Sequence, residues 1–184
     1  MKFLASAVTL LLLLGLAPVP SFHSRVAESL VMVSFDLPGE KDTERRCTGF
    51  QVGIASVLTA EHCANETVEM LIDGLPTYIL EKNDSFALLA TTPGYKPILQ
   101  LGPRPKRGDE VWAWGFSYGE ELMAYHRYVA GYNRGHLITD ATFSSGQSGG
   151  PIVDLNGKVV GVIQAGNDVV GIACTVEEIK AFVK

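Results

Sequence analysis

Three short segments carry residues whose types and spacing suit acyl-transfer chemistry. Ser148 stands in Gly146-Gln147-Ser148-Gly149-Gly150-Pro151, His62 in Leu58-Thr59-Ala60-Glu61-His62-Cys63, and Asp84 in Asn83-Asp84-Ser85. A serine hydroxyl is a weak nucleophile: it needs a base to take its proton and donors to stabilise the oxyanion it generates. Glycines on both sides of Ser148 allow backbone conformations that a side chain would forbid. The amides of Gly146 and Ser148 are therefore the candidate oxyanion hole. A carboxylate beside His62 would hold its tautomer and stabilise the imidazolium formed during proton transfer.

These segments resemble, in family order, the base and nucleophile signatures of the trypsin-like serine proteases. The likeness is strongest to the Deg/HtrA branch. Thr139-Asp140-Ala141 precedes Ser148 at that branch's spacing, and Asn156-Gly157-Lys158-Val159-Val160-Gly161-Val162 matches the hairpin after its nucleophile. Arg107-Gly108-Asp109-Glu110-Val111-Trp112-Ala113-Trp114-Gly115 matches the first strand of its second barrel. The resemblance implies an all-β fold of two six-stranded antiparallel β-barrels, with the triad His62, Asp84 and Ser148 in the cleft between them. It also implies a bridge between Cys47 and Cys63, sixteen residues apart, which would hold the His62 loop. Thr142 matches the base of the primary pocket, and Gln164-Ala165-Gly166 matches the segment that pairs with substrate backbone as an added strand. A neutral Thr142 disfavours Lys or Arg, so small or medium apolar side chains are expected at the cleavage site. Gln147 stands where the chymotrypsin branch has an aspartate that captures a new N-terminus. Activation by N-terminal insertion is therefore not expected.

The acid departs from the pattern. The family reads Asp, an apolar residue, then Ala-Leu-Leu, whereas this chain reads Asp84-Ser85-Phe86-Ala87-Leu88-Leu89. Alignment on Phe86 puts Ser85 at the acid's place and Asp84 one residue early, and on a strand one residue reverses the face. Two readings stay open. Either a bulge at the turn brings Asp84 to His62, the reading favoured here, or Ser85 serves there and the enzyme is weakened.

The elements that must position these groups are short. The 184 residues are 47% hydrophobic and 19% charged, with Gly 19 and Pro 9, a composition that leans toward many short strands with frequent turns. Apolar runs fall at Leu30–Phe35, Phe50–Leu58, Val68–Ile72, Phe86–Ala90, Glu110–Trp114, Gly135–Ile138, Pro151–Val153 and Val159–Gln164. Asn156-Gly157 favours a tight hairpin between the last two. The polar stretch Gly102-Pro103-Arg104-Pro105-Lys106-Arg107-Gly108 reads as the connector between halves at 24–100 and 101–184. Thr175-Val176-Glu177-Glu178 resembles a capping box before a short C-terminal helix whose apolar face is Ile179, Phe182 and Val183.

Residues 1–21 read as a secretory signal peptide, with Lys2 ahead of the Leu10–Leu14 run and small residues near Ser21; an uncleaved anchor is the alternative. Export into an oxidising compartment allows at most one bridge among Cys47, Cys63 and Cys174 and leaves one thiol. With the bridge that the resemblance implies, Cys174 is expected to be a buried free thiol. A net charge of −5 offers no basic footprint for nucleic acid or anionic membrane. His126 and His136 fall in no zinc-like spacing, so neither metal nor cofactor is expected. Trp112 and Trp114 read as packing. Asn65-Glu66-Thr67 and Asn83-Asp84-Ser85 are glycosylation sequons if the route is eukaryotic. The expected protein is a secreted serine endopeptidase acting on polypeptides through an acyl-enzyme. The alternative is a protease-fold binding protein with weakened catalysis.

Overall fold

The computed structural model describes residues 21–37 and 44–183. The signal-peptide segment thus lies outside the described residues, save for Ser21. Ser21 caps a helix that the sequence reading did not anticipate, α1 (Phe22–Ser29), its hydroxyl accepting from the Ser24 amide at 3.3 Å. Val26 and Ser29 on its inner face are fully buried. The polar stretch His23-Ser24-Arg25 beside a presumed cleavage point masked this amphipathic turn.

The first half then runs through β1 (Leu30–Asp36), β2 (Glu44–Gly53), β3 (Ser56–Ala60), a single 3-10 turn (Glu61–Cys63), β4 (Met70–Ile72), β5 (Leu75–Thr77), β6 (Ile79–Lys82) and β7 (Phe86–Ala90). These strands form one antiparallel sheet of seven in the order β5-β4-β1-β2-β3-β7-β6. The expected six-stranded closed barrel is here an open, seven-stranded half-barrel. The apolar run Phe50–Leu58 proves to be two strands, because Ile54-Ala55 turns the chain and Gln51 clamps that turn by donating to the Gly53 carbonyl at 2.7 Å.

The second half contains β8 (Glu110–Ser117), β9 (Glu121–Asn133), β10 (His136–Thr139), β11 (Pro151–Val153), β12 (Val159–Gly166) and β13 (Gly171–Thr175). They close as expected into a six-stranded barrel, β10-β13-β12-β11-β8-β9. The long β9 had no hydrophobic signature, and only Val129 in it is buried. Its place comes from continuous pairing with β8, from Glu110 opposite Tyr128 to Ser117 opposite Glu121. Asp154 shapes the β11–β12 hairpin: its carboxylate accepts from the amides of Asn156 and Lys158, both at 2.9 Å, while Gly157 takes φ 74°. The capping box forms as read. Thr175 donates its amide to the Glu178 carboxylate at 2.7 Å and opens α2 (Val176–Phe182).

Burial explains why the halves stay together. One cluster fills the second barrel around Val111, Leu137, Ile152 and Ile163. Another lies under the first sheet around Val31, Val57 and Leu89. The largest joins the halves: Val26, Leu30, Phe50, Leu58 and Phe86 pack with Trp114, Val153, Val162 and Ile179. Both helices contribute to this shared core, so α1 and α2 act as clasps between the halves. Residues of the connector are tied to the second barrel, the Gly102 amide donating to Val159 and its carbonyl accepting from Lys180, each at 2.7 Å.

Candidate active site

His62 sits in the 3-10 turn directly after β3, and several independent ties fix that turn. The expected bridge is present between Cys47 on β2 and Cys63, with Cα atoms 5.9 Å apart. Lys82 pairs with the Glu61 carboxylate at 2.8 Å and donates to the Ala64 carbonyl at 2.9 Å, so one ammonium grips both ends of the turn. The Glu61 amide donates to the Ser85 carbonyl at 3.1 Å. The His62 imidazole keeps an exposed face, yet burial of the rest of the ring holds its pKa below the ordinary histidine value, with the neighbouring Glu61 charge opposing that shift. Near neutral pH the ring is therefore in the form that can accept a proton.

Ser148 follows a tight turn whose glycines are required. Gly146 has φ 85° and Gly149 φ 83°. A Cβ on Gly146 would run into the Phe116 carbonyl, and one on Gly149 into the Thr48 carbonyl and the Thr59 hydroxyl. Gln147 is buried, and its side-chain oxygen accepts from the Ser144 amide at 2.8 Å. Its side chain thus braces the loop from inside, a use consistent with a neutral residue there. Among the described residues neither the Gly146 nor the Ser148 amide donates to a protein acceptor. Both remain available to an oxyanion.

Thr48 is the residue that sequence reasoning missed. Fully buried on β2, it donates its hydroxyl to the Gly146 carbonyl at 2.8 Å and accepts from the Phe116 amide at 2.9 Å. Its own amide donates to the Ser148 carbonyl at 2.9 Å. One threonine of the first half therefore latches the Ser148 loop of the second. Its position directly after Cys47 was the available signal.

His62, Gly146 and Ser148 line one cleft of about 1120 Å³, together with Phe35, Arg46 and Tyr118. No hydrogen bond joins His62 to Ser148 among the described residues. The Ser148 hydroxyl instead donates to the Gln164 carbonyl at 3.3 Å. Asp84 is not brought to His62. It lies exposed at the tip of a turn closed by Asn83, whose side-chain oxygen accepts from the amides of Ser85 and Phe86 at 2.9 and 2.8 Å. No hydrogen bond or ion pair links Asp84 to the imidazole among the described residues. The Asn83 amide also donates to the Phe86 carbonyl at 3.0 Å, and the register irregularity of this hairpin falls at Ile79–Glu81 rather than at Asp84. Gln164 reaches across instead, its amide nitrogen donating to the Ser85 carbonyl at 2.9 Å.

Of the expected substrate-binding residues, Gln164 meets Ser148 through its carbonyl, and Thr142 packs against Gly166. A Cβ on Gly166 would overlap the Thr142 hydroxyl, and one on Gly171 would overlap the Phe143 ring. Thr142 and Phe143 thus fill the space beside the two glycines.

A half-barrel and a barrel meeting at a cleft that holds a histidine and a glycine-flanked serine define the chymotrypsin-like class of folds. The chain belongs to the trypsin-like peptidase domain family, which residues 47–162 match. Among solved structures it is similar to the Rv3671c protease from M. tuberculosis in its active form, at 22% identity and TM-score 0.78, covering 88% of this chain and 82% of that one. It is also similar to the serine endoprotease from Yersinia pestis, at 20% identity and TM-score 0.75, covering 89% of this chain and 65% of that one. The inactive form of the Rv3671c protease matches at TM-score 0.73. No curated protein matches the sequence significantly.

Proposed function

We propose that the protein is a serine endopeptidase, exported through its N-terminal segment, in which Ser148 is the nucleophile and His62 its general base. The observation that carries this reading is the pairing, in one cleft, of a neutral-biased imidazole with a serine whose own amide and that of Gly146 have no acceptor among the described residues. His62 takes the Ser148 proton as the hydroxyl oxygen bonds to the scissile carbonyl carbon, and the Gly146 and Ser148 amides donate to the resulting oxyanion. His62 then passes that proton to the leaving amine as the C–N bond breaks. Water, deprotonated by the same imidazole, hydrolyses the acyl-enzyme. Before attack Ser148 must exchange its bond to the Gln164 carbonyl for one to His62, a side-chain rotation of the kind that tightens on substrate binding.

In this reading His62 and Ser148 act as a dyad, and Asp84 contributes to the triad only through a shift of its turn. The filled space at Thr142 and Phe143 supports a preference for small side chains at the cleavage site. A second reading, a protease-fold binding protein with weakened catalysis, draws on the absence, among the described residues, of a carboxylate bonded to His62. Fluorophosphonate labelling separates the two. Ser148 is expected to label in the folded protein, with labelling lost in Ser148→Ala and greatly slowed in His62→Ala. Equal labelling with and without His62 would sink the endopeptidase reading.

A further inference from the structure

Among the described residues, one cluster of ligating side chains lies outside the cleft. His136, Cys174 and Glu178 each offer a donor atom, and the three atoms lie within 4.8 Å of one another. They converge from separate elements. The β10–β13 register, Leu137 opposite Ala173 and Ile138 opposite Ile172, puts His136 one pair further on, across from Cys174. Glu178 comes from the first turn of α2, which starts directly after β13. Cys174 is fully buried, while His136 and Glu178 are half-buried and leave an approach from the surface.

We propose that His136, Cys174 and Glu178 form a binding site for a divalent transition metal of the zinc type. Sulfur, imidazole nitrogen and carboxylate oxygen are the donor set that suits tetrahedral zinc, whose ligands stand about 3.5 Å apart given bond lengths of ~2.0–2.3 Å. Small side-chain adjustments bring the three donors to that spacing, with a fourth position left for water.

Simpler explanations fit less well. Hydrogen bonding does not account for the convergence, since none joins the three side chains among the described residues. His136 Nδ1 is buried with no hydrogen-bond partner, a costly state for a polar atom unless something binds there. Glu178 uses one carboxylate oxygen for the helix cap and keeps the other for a ligand. Nor is Cys174 a nucleophile in waiting, because burial and the Glu178 charge push its thiol up to about 11, against weaker opposing contacts from the Ser85 and Gln164 side chains. A dication reverses that preference: a metal–sulfur bond forms, the S–H bond breaks, and the proton leaves to solvent. The other group with metal-like proximity, Cys47, His62 and Cys63, is excluded because its sulfurs are bonded to each other.

Cobalt(II) titration of the full chain, without reductant so that Cys47–Cys63 stays closed, tests the site. The expected result is a thiolate-to-cobalt charge-transfer band saturating at one equivalent and bleached by zinc. Cys174→Ser should abolish the band. His136→Gln and Glu178→Gln should each weaken zinc binding at least tenfold, and His126→Ala should not change it. Glu178→Gln keeps a residue competent for the capping box, so it remains decisive if Cys174→Ser fails to fold. No band, a band that survives Cys174→Ser, unchanged affinity in folded Glu178→Gln, or loss confined to His126→Ala would each overturn the proposal.

Discussion

At the scale of single residues, His62 makes the sharpest prediction. Burial lowers its pKa and Glu61 opposes the shift, so the catalytically useful neutral ring persists below the ordinary value of ~6.5. Peptidase activity should therefore be full above that value and fall away as pH drops through a midpoint below it. Stability follows the same sign. A group that resists protonation in the fold costs nothing above its unfolded pKa and destabilises the fold progressively as pH falls below it. A measured pH–rate profile checks this, and an acid limb above the ordinary histidine range would contradict it. Asp84 makes the complementary prediction. An aspartate that orients the base is worth on the order of 10⁴ in rate, whereas an exposed turn residue is worth little. Asp84→Asn should lower the cleavage rate by no more than about threefold, and a loss approaching the full triad effect would show that the turn moves to deliver the carboxylate.

At the scale of elements, the 3-10 turn that carries His62 owes its position to its ties rather than to its length. Three residues cannot form a stable helix alone. The Cys47–Cys63 bridge, Lys82 at both ends and the Ser85 carbonyl supply what the turn lacks. Replacing both Cys47 and Cys63 by Ala should cost about 3 kcal/mol in urea unfolding, as expected for a loop of this size. The fall in kcat should exceed any change in KM, because the bridge anchors the turn that carries the imidazole. Equal stability of the double variant would show that the bridge constrains nothing. The nucleophile loop is anchored by different means. Its glycines are demanded by the Phe116 and Thr48 carbonyls, so its geometry belongs to its neighbours as much as to its own sequence.

At the scale of the whole molecule, the proposed catalysis depends on how the two halves meet. The shared core around Phe50, Phe86, Trp114 and Ile179 holds them together, and Thr48 sets their register at the site. Thr48→Val preserves shape but strands the Phe116 amide and the Gly146 carbonyl, so it should cost about 1–3 kcal/mol. Activity should fall further than stability alone explains, since the same bonds hold the amides proposed to bind the oxyanion. Chemical denaturation alongside steady-state kinetics of the folded variant measures both, and a folded variant with unimpaired kcat would refute the latch.

Local chemistry was legible in the chain itself. The glycine frame of Ser148, the Asn156-Gly157 hairpin and the Thr175–Glu178 cap depend on residues close in sequence, so types and spacing were enough to read them, while the Cys47–Cys63 bridge was read from the family resemblance. What tertiary structure decided is everything that depends on a distant partner. β9 is a strand because β8 pairs with it. α1 is a helix whose inner face the shared core covers. Asp84 faces solvent because Asn83 closes its turn. Gln164 crosses from one half to reach Ser85 in the other. The same physics separates the two cysteine environments. The pairing of Cys47 with Cys63 was implied by the family resemblance and joins β2 to the turn after β3, whereas the meeting of Cys174 with His136 and Glu178 exists only once β10, β13 and α2 have packed.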